Sequence, residues 1–253
     1  MNRLNKILSV LCVVGMIFAQ NPITVSGELS TTVTLGDTMS FDSPYTGLTL
    51  SGEGWHLSSQ LSEGAVVVEE ASYNIDANFA SLTLGKQRMP FGLTVPWHRP
   101  GSNPYVSEPS TQTYSEGIGV SVELLGIGVE AFVGNDKIYS TRLSYGVLGH
   151  SAGVSADNND RLLVDVNGTT GIFIGSLTSY FEYDLSEETS GDFWYRAVIA
   201  PEFTKGVSAL VGYSSTGDET DTMYGVGYQY GNAYLRSELS AEGDVSVRVS
   251  YSF

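Results

Sequence analysis

Val245-Ser246-Val247-Arg248-Val249-Ser250-Tyr251-Ser252-Phe253 alternates between an apolar and a polar side chain without a break. The same two-residue period runs through Ile23–Leu35. There Ile23, Val25, Gly27, Leu29, Thr31, Val33 and Leu35 take one phase, and Thr24, Ser26, Glu28, Ser30, Thr32 and Thr34 the other. Successive side chains of a strand point to opposite faces, so each segment reads as a strand with one apolar and one polar face. Such a strand suits a β-sandwich, with its core inside, or a membrane barrel, with lipid outside.

Three features favour the barrel. The alternation recurs in most segments. The apolar phases carry Tyr and Phe near strand ends, where an aromatic girdle would sit. The polar phases are full of Gly, Ser and Thr, which suits a wet interior. Val249, Tyr251 and Phe253 share one face of the last strand. That arrangement resembles the ending of bacterial outer-membrane barrels, which implies an assembly signal read by the barrel-assembly machinery.

Composition agrees. The chain has 253 residues, with 12 Lys+Arg against 28 Asp+Glu and a formal charge of −16, which disfavours nucleic acid as a partner. Charged residues make up 16%, against the ~25% usual in soluble domains, so less of the surface is built for water. Three His and one Cys leave little material for a metal site or a thiol enzyme. No cofactor is expected. The first residues form a basic start (Arg3, Lys6), an apolar run Ile7–Phe18 and a small residue, Ala19. This predicts a signal peptide over 1–19 and a transmembrane barrel over 20–253. Cys12 lies inside the leader, and Val10-Leu11 before it does not fit a lipidation site.

Strands are predicted near 23–35, 47–51, 54–61, 65–75, 78–87, 114–124, 127–135, 138–146, 149–156, 161–167, 171–184, 193–203, 206–215, 222–230, 233–240 and 244–253. Sixteen strands fit if most loops are short. Fourteen is the alternative, because 47–51 and 149–156 are weak. Leu125-Gly126, Val147-Leu148 and Gly231-Asn232 read as tight hairpin turns. The one long connection, 88–113, falls on the outer side if the N-terminus is periplasmic. Its prolines, Pro90, Pro96, Pro100, Pro104 and Pro109, make it stiff for its length. It either folds into the pore mouth or caps the barrel from outside.

Residues 65–135 carry a family resemblance. Val67-Val68-Glu69-Glu70-Ala71-Ser72-Tyr73, then Leu82-Thr83-Leu84-Gly85-Lys86-Gln87-Arg88-Met89-Pro90-Phe91-Gly92, resembles the porin superfamily of phosphate-selective and LbtU-type siderophore porins. The hairpin Gly117–Asn135 is similar to theirs as well. The resemblance implies a channel in a bacterial outer membrane, a constriction-type long loop and a homotrimer. This chain is shorter than typical members, so the loops that set selectivity there are reduced here.

Alternation sorts the charges. Glu28, Glu70, Glu123, Glu130, Asp165, Glu182, Asp184, Glu202 and Glu238 fall on the lumen phase, with Arg142, Arg196, Arg236 and Arg248. The root of the long connection adds Lys86 and Arg88, and its interior His98, Arg99 and Glu108. These are the candidate constriction residues. Lumen-phase glycines, among them Gly117, Gly134 and Gly212, leave room for water. Asp157, Asp160, Glu187, Glu188, Asp192, Asp218, Glu219 and Asp221 form a solvated outer rim, with divalent cations shared with lipopolysaccharide as the sharper reading. Catalysis would need one of His56, His98 or His150 beside a nucleophile; none sits in a motif, and no enzyme is expected. The expectation is an outer-membrane porin in contact with lipid and lipopolysaccharide. It passes small hydrophilic solutes or ions with a weak cation preference. A non-channel outer-membrane or secreted β-protein, adhesive or structural, is the alternative.

Overall fold

A computed structural model of the chain describes residues 23–42, 44–62, 65–93, 113–186, 191–217 and 219–253. The expected leader lies outside them. The strands are β1 (Thr24–Leu35), β2 (Met39–Phe41), β3 (Tyr45–Gly52), β4 (Trp55–Ser62), β5 (Ala65–Ala77), β6 (Ala80–Arg88), β7 (Tyr114–Leu124), β8 (Ile127–Gly134) and β9 (Tyr139–Val147). They continue with β10 (His150–Asp157), β11 (Leu162–Ile172), β12 (Gly175–Asp184), β13 (Phe193–Pro201), β14 (Val207–Thr216), β15 (Glu219–Tyr230), β16 (Ala233–Leu239) and β17 (Val245–Ser252). Each pairs antiparallel with its sequence neighbour, and β17 closes on β1 through Glu28↔Ser252 to Leu35↔Val245.

The short β2 was not predicted. It pairs Leu35↔Met39, whereas β3 pairs Ser30↔Tyr45 on the same edge of β1, one residue out of step. β2 and β3 are thus one wall strand split by a bulge. The wall is a closed antiparallel barrel of 16 strands. Following paired residues once round the wall returns to β1 about 20 residues from the start, a tilt of roughly 40° for this strand number.

Large apolar side chains face outward and are exposed all round the wall, among them Leu29, Ile75, Val129, Leu143, Val154 and Val226. In water such a surface would aggregate. In a bilayer it is the favourable one, and closure satisfies every strand's backbone groups where no water can. Short connections gather at the end that holds Phe253, at 53–54, 78–79, 125–126, 148–149, 173–174, 202–206 and 231–232. The opposite end carries the longer ones, 89–113 and 185–192. Short turns mark the periplasmic side of such barrels.

The turns Leu125-Gly126 (φ 54° and 81°) and Leu148-Gly149 (φ 51° and 78°) have two left-handed residues each, the hairpin geometry that favours Asn-Gly. A leucine in that region costs about 1 kcal/mol. Val147 belongs to β9, so the second turn sits one residue later than predicted.

The interior differs from the wet lining expected. Met89, Phe91, Leu93, Phe132, Leu163, Trp194, Leu210 and Met223 are buried. The expected room at lumen glycines is taken up by neighbours. A Cβ on Gly117 or Gly134 would come within 2.7 or 2.8 Å of the Phe132 ring, and one on Gly212 within 2.4 Å of the Arg196 side chain.

Candidate pore constriction

The long connection begins by turning inward. Pro90 has no N–H, so pairing along β6 stops after Arg88. The amide of Met89 donates to the Thr113 carbonyl at 2.9 Å and that of Phe91 to the Met89 carbonyl at 2.8 Å, and Gly92 takes a left-handed φ of 69°. From there the chain reaches the far wall. The Gly92 amide donates to Ser155 Oγ at 3.1 Å and the Leu93 amide to Glu182 Oε1 at 2.5 Å. Leu93 is fully buried against Trp194 and Leu210, with Tyr180 and Val198 packed on the cluster. Phe91 lies 4.5 Å below the Arg161 guanidinium. β6 and β13 are almost half-way round the barrel from each other. Burying each large apolar side chain is worth ~1.5–3 kcal/mol, so Phe91 and Leu93 hold the root inside rather than over the mouth.

Charges line the wall beside this root. Arg142 makes a two-pronged contact with Asp165, Nη2 to Oδ1 at 2.6 Å and Nε to Oδ2 at 3.1 Å. Its Nη1 is 3.7 Å from Glu130 Oε2. Arg142 and Asp165 come from β9 and β11, with β10 between them. The reach needs Gly153, where a Cβ would fall 2.5 Å from Arg142 Nη2 and 2.7 Å from Asp165 Oδ2. Asp165 stands opposite Glu182 in the β11–β12 register, so the chain Glu130, Arg142, Asp165, Glu182 runs round the lumen to the Leu93 latch. Arg88 faces the same group, with Tyr114, Glu182, Arg142 and Glu130 around it. Arg196 is fully buried, with its guanidinium 4.7 Å over the Trp194 ring and Nη1 donating to the Tyr195 carbonyl at 2.9 Å.

A second charged group lies on the other side of the lumen. Arg236 stands directly opposite Arg248 in register, with Glu28 and Glu238 near it. Arg248 Nε donates to Thr32 Oγ1 at 3.0 Å, and Arg236 lies 5.0 Å over the Tyr234 ring. Toward the outer end a cavity of about 700 Å³ is lined by Glu219, Asp221, Glu238, Glu242 and Asp244 together with Thr34, Met223 and Ser246. Lower down, His56 Nε2 is 2.9 Å from Glu70 Oε2.

Several expected positions differ. Lys86 keeps the outward phase of Leu82 and Leu84, and its Nζ donates to the Val68 carbonyl at 2.6 Å. Val68 lies beside the β-bulge that breaks the β4–β5 register, so Lys86 fastens the wall and does not enter the lumen. Glu202 is exposed in a short periplasmic turn, because β13 ends at Pro201. Glu123 is exposed at the periplasmic mouth. Asp184 accepts from the Ser186 amide at 2.8 Å and shapes the outer end of β12. Asp157 is not part of a solvated rim. It is buried, takes the Arg161 guanidinium at 2.8 Å and accepts from the Asn159 amide at 3.0 Å. His150 Nε2 lies 2.9 Å from Thr170 Oγ1 at the periplasmic end. His98, Arg99 and Glu108 lie outside the described residues. Val249 and Tyr251 face outward, and Phe253 exchanges amide–carbonyl bonds with Gly27 at 2.9 and 3.0 Å.

The residues that alternation missed are Phe132, Leu163, Trp194, Leu210 and Met223. Each is a large apolar side chain on the polar phase of its strand. In the sequence that signal was present as Phe193-Trp194-Tyr195, where aromatics occupy both phases.

Comparison with solved structures agrees with this architecture. A five-site mutant of the Rhodopseudomonas blastica porin superposes with a TM-score of 0.65 at 12% identity, covering 92% of this chain and 100% of that one. The trimer form of OmpT, an outer membrane protein of Vibrio cholerae, gives 0.59 at 12% identity, covering 92% and 99%. A porin refined at 1.8 Å gives 0.53 at 13% identity, covering 92% and 100%. No protein-family model matches the chain, and no curated protein matches it. The fold, the outward apolar belt and the charged lumen define the class: an outer-membrane β-barrel with the porin fold. Within that class the chain is a short barrel whose long connection is rooted inside the lumen.

Proposed function

We propose that the chain is a passive diffusion channel for small hydrophilic solutes and ions across a bacterial outer membrane. The observation that carries this reading is the Leu93–Glu182 latch. A root segment held across a charged lumen narrows a pore without needing a moving part. The acidic outer cavity and the lumen carboxylates support a weak cation preference, because a low-dielectric wall focuses the field of its charges. The Glu70–Gly92 segment supports placing the chain as a short member of the phosphate-selective and LbtU-type porin superfamily. Assembly as a homotrimer follows the trimer form of the OmpT neighbour. Contacts with lipopolysaccharide and with the barrel-assembly machinery are part of the same reading.

Planar-bilayer recording in a salt gradient tests it. The expected result is stepwise conductance with a reversal potential on the cation side. A sealed structural barrel is the second reading, favoured by the buried Phe132, Trp194 and Leu210 side chains inside the lumen. Insertion without conductance steps would establish that second reading.

A further inference from the structure

Hairpin turns that meet water are normally polar, yet five consecutive periplasmic turns here each present a large apolar residue. They are Phe79, Leu125, Leu148, Phe173 and Phe203, on the turns β5/β6, β7/β8, β9/β10, β11/β12 and β13/β14. Their exposure runs from 72% to 106%, among the highest of any large apolar residue in the structure, so none of the described residues covers them. The flanking turns on either side of this arc are polar: Glu53-Gly54 at β3/β4 and Gly231-Asn232 at β15/β16. Only the β13/β14 turn of the five carries charges, Glu202 and Lys205.

We propose that this arc of turn tips is immersed in the inner leaflet of the membrane, at the boundary between acyl chains and headgroups, and that the turns from β15/β16 round to β3/β4 remain in water. Height supports lipid as the occupant. β9 has 9 residues from Tyr139, an outward aromatic of the outer end, down to Val147. At ~3.3 Å per residue and a tilt of ~40°, the tip at Leu148 lies roughly 23 Å below that ring. The apolar band of such barrels is ~25 Å tall, so the tip falls within it. Continuity supports it too. Leu124, Ile127, Tyr145 and Val147 lead from the lipid-facing belt straight into the tips and are exposed on the same face. The turn chemistry is a third support. At Leu125 and Leu148 a left-handed φ is held by leucine, where asparagine would be unstrained. The inference is independent of whether the lumen conducts.

The only cysteine is Cys12, within the predicted leader, so single-cysteine variants can be labelled cleanly. An environment-sensitive fluorophore on Leu148→Cys, Phe173→Cys and Asn232→Cys is read in the full chain reconstituted into phosphatidylcholine vesicles. Probes at 148 and 173 are expected to be quenched by nitroxide-bearing lipid and the probe at 232 severalfold more by aqueous iodide. Equal iodide access at all three overturns the proposal and leaves the arc as a docking surface for a periplasmic protein. A second measurement uses the double variant Leu125→Asn, Leu148→Asn. In water it relieves both turns and raises the urea midpoint; in lipid it loses apolar contact and lowers it. A raised midpoint in vesicles likewise overturns the proposal.

Discussion

The amide of Leu93 and the carboxylate of Glu182 meet across the lumen at 2.5 Å, joining the root of the long connection to the opposite wall. Neither group reaches water there. Glu182 is buried, and Leu93 has no exposed surface. The bond therefore fixes where the root of the connection lies, and the apolar contacts of Leu93 with Trp194 and Leu210 fix the depth of that root.

Replacing Glu182 with leucine should loosen the root. A buried amide left without its acceptor costs ~1–3 kcal/mol, whereas glutamine keeps an acceptor oxygen at the same reach. Single-channel recording of Glu182→Leu should show larger current noise and a raised mean conductance, with Glu182→Gln close to the parent. Identical traces from the two variants would mean that the bond does not position the connection.

The Arg142–Asp165 pair is expected to hold the wall as well as line it. Removing one partner of a buried ion pair costs ~3–5 kcal/mol, because the other charge is left behind in a poorly solvated place. Asp165→Asn and Gly153→Val should both lower the urea midpoint of the folded barrel in vesicles. Gly153→Val acts by pushing the Arg142 guanidinium aside. A midpoint unchanged in Gly153→Val would show that Arg142 has another path to its partner.

Phe253 and Gly27 form a third testable pair. Their two amide–carbonyl bonds extend the seam between β17 and β1, and a Cβ on Gly27 would lie 2.3 Å from the Phe253 ring. We propose that Phe253, with Tyr251 and Val249, also serves as the assembly signal. Removing Phe253 should slow appearance of the heat-modifiable folded form in the outer membrane, and Gly27→Leu should do so less. Equal folded levels with and without Phe253 would count against both roles.

Much of the wall was legible because alternation is a backbone property. Wherever Val, Leu or Tyr recur at every second position, the strand and its outward face follow. β2 was missed because three residues cannot display a period. The lumen was less legible. Phase places Arg142 and Asp165 inside, but only the structure shows that Gly153 lets them touch. Lys86 illustrates the limit: a base beside the long connection looked like a pore residue, and its strand phase turned it outward. Phe91 and Leu93 carried no alternation to read, since their burial depends on a turn at Pro90-Phe91-Gly92 and on partners half a barrel away.

Arg88 offers the sharpest test of selectivity. It ends β6 where the root of the connection enters the lumen, and among the described residues the charged side chains Glu182, Arg142 and Glu130 surround it. Its guanidinium Nη2 also donates to the Phe91 carbonyl at 3.4 Å, a long bond that adds little to stability. Its main effect is therefore electrostatic. A unit charge ~10 Å from a permeating ion in water acts with ~0.4 kcal/mol, opposite in sign for cation and anion, which alters the ratio of cation to anion permeability on the order of fourfold. Arg88→Ala should raise that ratio, and Glu130→Gln should lower it by a similar factor. Adding Arg99→Ala to Arg88→Ala should raise it further if the connection carries Arg99 into the same passage. Reversal potentials in a tenfold salt gradient read all three. If Arg88→Ala leaves the potential unmoved while Glu130→Gln shifts it, permeating ions pass the wall of β8 and β9 and bypass the root, and the constriction must be redrawn there.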